Sequence, residues 1–175
     1  TTAGWTFSAE SDATMGFYTN GHTYSPAGLI VDNTWTHVVT TRQSGTIRLM
    51  QDGVLRSSAS NSQNFSNQLF CIGINCSGPD SSGAAGWYRG YMSMVRFVVG
   101  SVPTDYQTSS TTNGATIFTT PTTALTTSSQ GTTSGHVKFL GLKDASSATA
   151  TDAAASTITT GGHTSGVTVG HDGPW

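Results

Sequence analysis

The chain has 175 residues, of which only 9% are charged, with a formal net charge of -2 and seven basic residues in all. Those basic residues are scattered, which excludes a nucleic-acid-binding face built on clustered positive charge, and no apolar run approaches the roughly 18–20 residues of a membrane span. Twenty-one glycines, with Thr and Ser in place of Lys and Glu, leave few good helix formers, so an all-β fold is expected.

Residues 5–9 and 15–19 read as strands. Asn20-Gly21 accepts positive φ and joins the second of them to residues 22–25 as a hairpin. Leu29-Ile30-Val31 is a short apolar run, followed by the polar turn Asp32-Asn33-Thr34. Residues 35–42 and 46–51 form the strongest strand pair, joined through Gln43-Ser44-Gly45. In the second of these, Ile47, Leu49 and Gln51 alternate with Arg48, Met50 and Asp52, the pattern of a half-buried strand. Asp52-Gly53 turns the chain again, into Val54-Leu55. Residues 56–67 are too hydrophilic for a core. Residues 69–74 are predicted as an apolar strand buried on both faces, and residues 75–86 as a loop of Gly, Ser, Pro and Asp. Residues 87–100, WYRGYMSMVRFVVG, are predicted as a last strong strand, central in a sandwich, with Tyr91 packed inside.

Composition shifts near Val102-Pro103. Residues 106–135 are mostly Thr and Ser and bury little alone. So long a stretch without regular structure is improbable inside a compact domain. It is expected to be an extended arm across the sandwich surface, pinned by Phe118 and Leu125. Residues 137–142 are a return strand. Beyond Asp144 the chain is Ala, Thr and Gly, with Ile158, Val167 and Val169 as faint strand signals. The expected organisation is a sandwich over residues 1–105, then an arm and return strand over residues 106–175 that pack on the sandwich or a neighbouring subunit.

Trp35-Thr36-His37-Val38-Val39, then Ile47-Arg48-Leu49, Asp52-Gly53, Ile72-Gly73 and the strand opening Gly90-Tyr91, resembles the laminin-G / concanavalin-A-like jelly rolls. In those, a WxHV strand precedes a strand ending in a DG turn. The implied fold is an antiparallel β-sandwich, a jelly roll with an extended Thr/Ser-rich C-terminal arm. The string GYMSMVRFVVG, then IFTTPTTALT over residues 117–126, Val137-Lys138-Phe139-Leu140, Asp144-Ala145-Ser146 and the closing Pro174-Trp175, is similar to jelly-roll proteins of tailed bacteriophages. Thr120 stands where that family has the first Pro of a pair, and the family's opening F-T-x-E-x-W strand has no counterpart. Three readings follow: the chain is a piece of a longer polypeptide, which is preferred, a neighbouring subunit supplies the N-terminal strands, or the strand order differs from the family's. A sandwich short of central strands exposes apolar surface and an open edge.

Glycoside hydrolysis needs two carboxylates flanking one bond. Glu10 is the only glutamate and the nine acids are scattered. There is no G-x-S-x-G, and Cys71 falls inside a predicted strand, where a buried thiol is inert. No enzymatic activity is expected. Cys71 and Cys76 would stand about 16 Å apart on one extended strand and bridge only if the chain turns between them, so both redox states stay open. Asn64-Phe65-Ser66 and Asn75-Cys76-Ser77 match glycosylation acceptors. His37 reads as a packed or rim histidine.

Trp87 and Tyr88, at the end of a Gly/Ser loop, are the ligand-binding candidates, because an aromatic face complements the C–H face of a sugar. Asp80 lies in a loop resembling the rim loops that hold calcium in laminin-G domains; its plainer reading is a turn residue. His163 and His171, with Asp172, are weaker metal candidates across a fibre axis, set against a solvated tail. No cofactor is expected; calcium at Asp80 is the one candidate set against that.

The resemblance implies a non-enzymatic structural or adhesive component of a tailed-phage virion, displayed on a tail, fibre or capsid surface. Its partners would be other copies of itself or other virion proteins, and a host surface glycan, with no nucleic acid and no membrane insertion. The alternative is an extracellular, lectin-like carbohydrate-binding module cut from a larger adhesin or enzyme.

Overall fold

The computed structural model describes residues 5–19, 21–63, 65, 72 and 90–142. Among them every strand pair is antiparallel, and the only helical turns are three short 3-10 segments. β1 (Thr6–Ala9), β2 (Met15–Tyr18) and β3 (His22–Tyr24) make one sheet in that order. β4 (Val38–Gln43), β5 (Thr46–Gln51) and β6 (Val54–Ser60) make a second. β7 (Val95–Val98) and β8 (Val137–Gly141) make a third, of two strands.

The chain packs as two compact units, Thr1–Gly90 with Ser109–Ile117, and Tyr91–Thr108 with Phe118–Trp175. The second unit holds β7 together with its ladder partner, the return strand β8. In the first unit Met15 and Phe17 of β2 and Ile47 and Leu49 of β5 form one buried cluster, closed by Trp5, Phe7, Leu29, Ile30 and Phe65. The first two sheets therefore face each other across a shared core, as a β-sandwich does. Each fully buried side chain of this kind stabilises by about 1.5–3 kcal/mol.

β5 is buried from Ile47 to Gln51 on both faces, not on one as its alternation suggested. It lies between β4 and β6, and Met50 and Leu55, paired on the face away from the cluster, are fully covered. Both of its hairpins carry left-handed pairs at the turn: Ser44 and Gly45 at φ 49° and 73°, Asp52 and Gly53 at φ 49° and 82°. Two positive-φ residues in a row match the right-handed twist of the flanking strands.

Three strand expectations need correction. β4 begins at Val38, its last partner on β5 being Gln51, so Trp35 lies outside the ladder and is 43% exposed. β6 continues through the polar run to Ser60, since pairing with β5 satisfies its backbone whatever its side chains are. Its register steps from Leu49↔Ser57 to Met50↔Leu55, which leaves Arg56 as the extra residue of a bulge. Residues 90–94 are not strand: Met94 is left-handed at φ 53°, as is Leu142 at φ 58°, and the ladder of β7 and β8 stops there. Tyr91, expected inside, is 63% exposed.

Part of the expected arm does lie on the sandwich. Gly114 and Ile117 donate to the carbonyls of Leu55 and Gly53 at 2.7 and 2.8 Å, Ala115 accepts from Leu55 at 2.9 Å, and Thr116 bridges Val54. This strap covers the free edge of β6, an edge that would otherwise invite foreign strands. The two expected pins serve the second unit instead. Phe118 meets the Tyr106 ring edge-on at 4.6 Å, and Leu125 is buried with Met94, Val137 and Leu140. The predicted strand at 69–74, apart from Ile72, and the strand signals beyond Asp144 lie outside the described residues.

Candidate functional site

The hairpin of β2 and β3 pairs Tyr18 with His22 and Gly16 with Tyr24. Paired residues share a face, and this one is opposite to the core residues Met15 and Phe17. Tyr18, His22 and Tyr24 make a row of rings on it. Tyr18 and His22 stand 4.6 Å apart between centroids, and His22 and Tyr24 4.9 Å apart and nearly parallel. The Tyr24 hydroxyl and His22 Nδ1 are hydrogen-bonded at 2.6 Å, which fixes both rings. Tyr18 is 43% and Tyr24 46% exposed.

β1 contributes the polar margin. Ser8 pairs with Gly16, and its Oγ donates to Glu10 Oε1 at 2.5 Å. A Cβ on Gly16 would stand 2.8 Å from Ser8 Oγ and 3.1 Å from both Glu10 Oε1 and Tyr24 Cε1. Only glycine lets these three side chains converge. Asp12, in the same β1–β2 connection, is committed to the turn: Thr14 Oγ1 donates to it at 2.8 Å and Thr14 N–H at 3.2 Å. The Thr14 hydroxyl and then its amide hold the Asp12 carboxyl below the usual carboxylate range.

Where the hairpin meets the end of β6 lies a polar cleft of about 270 Å³, lined among others by Thr19, His22, Thr23, Ser60, Asn61 and Gln63; Thr23 pairs with Phe17, so this cleft opens on the core side of the hairpin rather than on the ring face. Asn61 Nδ2 donates to Thr19 Oγ1 at 2.5 Å, and Gln63 N–H donates to Asn61 Oδ1 at 3.1 Å. Arg42 donates through Nε and Nη2 to the Asn61 carbonyl, both at 3.3 Å, and its guanidinium carbon lies 4.8 Å from the Phe65 ring centre. His22 belongs to both the ring row and the cleft. Exposed aromatic surface with the Ser8 hydroxyl and Glu10 carboxylate beside Tyr24 is the pattern of sites for polyhydroxylated ligands.

Sequence reasoning missed this site. Its signal was present: Tyr-Thr-Asn-Gly-His-Thr-Tyr keeps period two through a tight turn, which sends residues 18, 22 and 24 to one face. The candidates Trp87, Tyr88, Asp80, His163, His171 and Asp172 lie outside the described residues. Among the described residues no three His, Cys, Asp or Glu side chains converge as metal ligands. His37 is half-buried, its backbone held by Asp52.

Antiparallel sheets facing across one apolar core, each built of consecutive strands, define a β-sandwich of the jelly-roll class. A profile of the concanavalin A-like lectin/glucanases superfamily matches residues 1–102, and the chain belongs to that superfamily. The matched stretch contains the whole ring row and its cleft. No curated protein and no solved structure gives a significant match.

Proposed function

We propose that the chain is a non-enzymatic adhesive domain that binds a glycan, displayed on the virion surface of a tailed phage. The observation that carries the glycan is the exposed row Tyr18, His22 and Tyr24, the last two rings tied by a hydrogen bond, with the Ser8 hydroxyl and Glu10 carboxylate beside Tyr24. Prefixed rings lose little entropy when a sugar stacks on them. Catalysis has no pair of carboxylates to use at this face: Glu10 is the one glutamate, and Asp12 is tied to Thr14. Binding in this reading needs no cofactor.

The virion assignment is supported by the similarity of residues 90–100 and 117–126 to phage jelly rolls. Low charge and a Thr/Ser-rich strap that joins a sheet edge through its backbone suit a protein packed against other copies of itself or other virion proteins. The second reading, an extracellular lectin-like module, is favoured by the same ring row taken alone. Mass in solution together with binding to a glycan panel separates them. A symmetric oligomer that binds glycan supports the virion component. A clean monomer that binds at micromolar affinity sinks it in favour of the module. Cleavage of the glycan sinks both.

A further inference from the structure

We infer that the ligand of this face is an uncharged saccharide and that Glu10 is the residue that disfavours acidic ones. The inference rests on the glycan-binding reading above and adds the ligand's charge class to it. Glu10 Oε1 and Tyr24 Cε1 each stand 3.1 Å from the same point above Gly16. A sugar ring packed against Tyr24 thus has the Glu10 carboxylate as its nearest ionised neighbour. Ser8 Oγ holds that carboxylate in place at 2.5 Å.

A carboxylate is acceptor-only. It takes hydrogen bonds from a neutral sugar's hydroxyls, and such bonds to a charged acceptor are the strong ones. It repels a uronate, a sialic acid or a sulfate ester. The counter-argument is Arg42 beside the cleft. Its Nε and Nη2 are directed to the Asn61 carbonyl and its plane lies over Phe65, so it is engaged within the fold. Glu10 is exposed, so solvent screens the repulsion. At the ring-contact distance this leaves about a threefold to tenfold preference for neutral sugars.

The test uses the full chain on a panel of neutral hexose and N-acetylhexosamine oligosaccharides and their sialylated, uronate-bearing and sulfated counterparts, at low ionic strength. Neutral members should bind about threefold to tenfold tighter than their acidic counterparts. Glu10→Gln should bring that ratio to within about twofold, and added salt should narrow it in the unaltered chain, a readout that needs no variant. Acidic members binding as tightly or more tightly, or a ratio that neither E10Q nor salt changes, would overturn the inference while leaving glycan binding intact. Binding to no member of the panel overturns the glycan reading itself, and the inference with it.

Discussion

Asp52 holds His37 twice: its N–H donates to the His37 carbonyl and its Oδ1 accepts the His37 N–H, both at 2.9 Å. The side chain closes the ladder one residue beyond the last pair, Val38↔Gln51, while its own backbone sits at φ 49°. Asx residues combine those two abilities and alanine has neither. Asp52→Ala is expected to cost about 1–2 kcal/mol in a urea titration. Asp52→Asn keeps an acceptor oxygen and tolerance of positive φ, and should lose less than half of that. Equal losses would show that the carboxylate charge, not the clamp, matters.

Gly16 is the position where bulk would be felt at once by structure and site. A methyl there meets Ser8, Glu10 and Tyr24 at 2.8–3.1 Å. The first two are the ends of side chains that can swing away, so Gly16→Ala should cost only about 1 kcal/mol in thermal or urea unfolding. Tyr24 has to give by a few tenths of an ångström, so glycan affinity should fall only about twofold to threefold. A loss beyond about tenfold would show that the ring is displaced from the row altogether.

Burial raises the Tyr106 hydroxyl from its ordinary 10.0 to about 12; Arg96 pulls it down and Asp105 pushes it up, both by less. Below pH 10 folded and unfolded chains both keep the proton. Between pH 10 and 12 the unfolded chain releases it and the folded one does not, so stability falls as pH rises through that window. Tyrosinate absorbance should show a late-ionising tyrosine, and the alkaline loss of stability should shrink in Tyr106→Phe. A Tyr106→Phe chain with the same alkaline slope would place the effect elsewhere.

Arg48 is 5% exposed, its Nε donates to the Ser110 carbonyl of the strap at 2.8 Å, and its Nη1 has no hydrogen-bond partner among the described residues. A charge buried with so little return is replaceable by apolar bulk. Arg48→Met should change stability by less than about 1 kcal/mol, whereas Arg48→Ala leaves a cavity and should cost about 2–4 kcal/mol. Guanidinium unfolding of the two variants checks this. If both lose equally, the guanidinium itself anchors the strap.

Local signals were legible in the sequence where one residue pair decides the geometry. β5 occupies residues 46–51 as its alternation predicts, the hairpin of β2 and β3 pairs as expected, and the turn into β6 falls at Asp52-Gly53. What was not legible depends on partners distant in sequence. The polar run after Leu55 is strand because β5 offers it a ladder. The buried outer face of β5 has to do with the strap, which contributes Ser110 and Ala115 from far along the chain. Met94 ends its strand by a backbone conformation that no side-chain pattern announces. The ring row lay between the two kinds: its turn was read, but its three side chains were not followed across it.

The glycan-binding claim meets its most direct test in calorimetric titration of the best neutral oligosaccharide into the unaltered chain, Tyr18→Ala and Tyr24→Ala. Loss of a stacking aromatic is worth about 0.5–1.5 kcal/mol beyond area, and with the lost contact area each substitution should weaken binding about threefold to tenfold, with a small change in thermal unfolding, the two side chains being 43% and 46% exposed. Affinity that stays within about twofold of the unaltered chain in both variants would contradict the account and move the recognition surface off the outer face of β2 and β3.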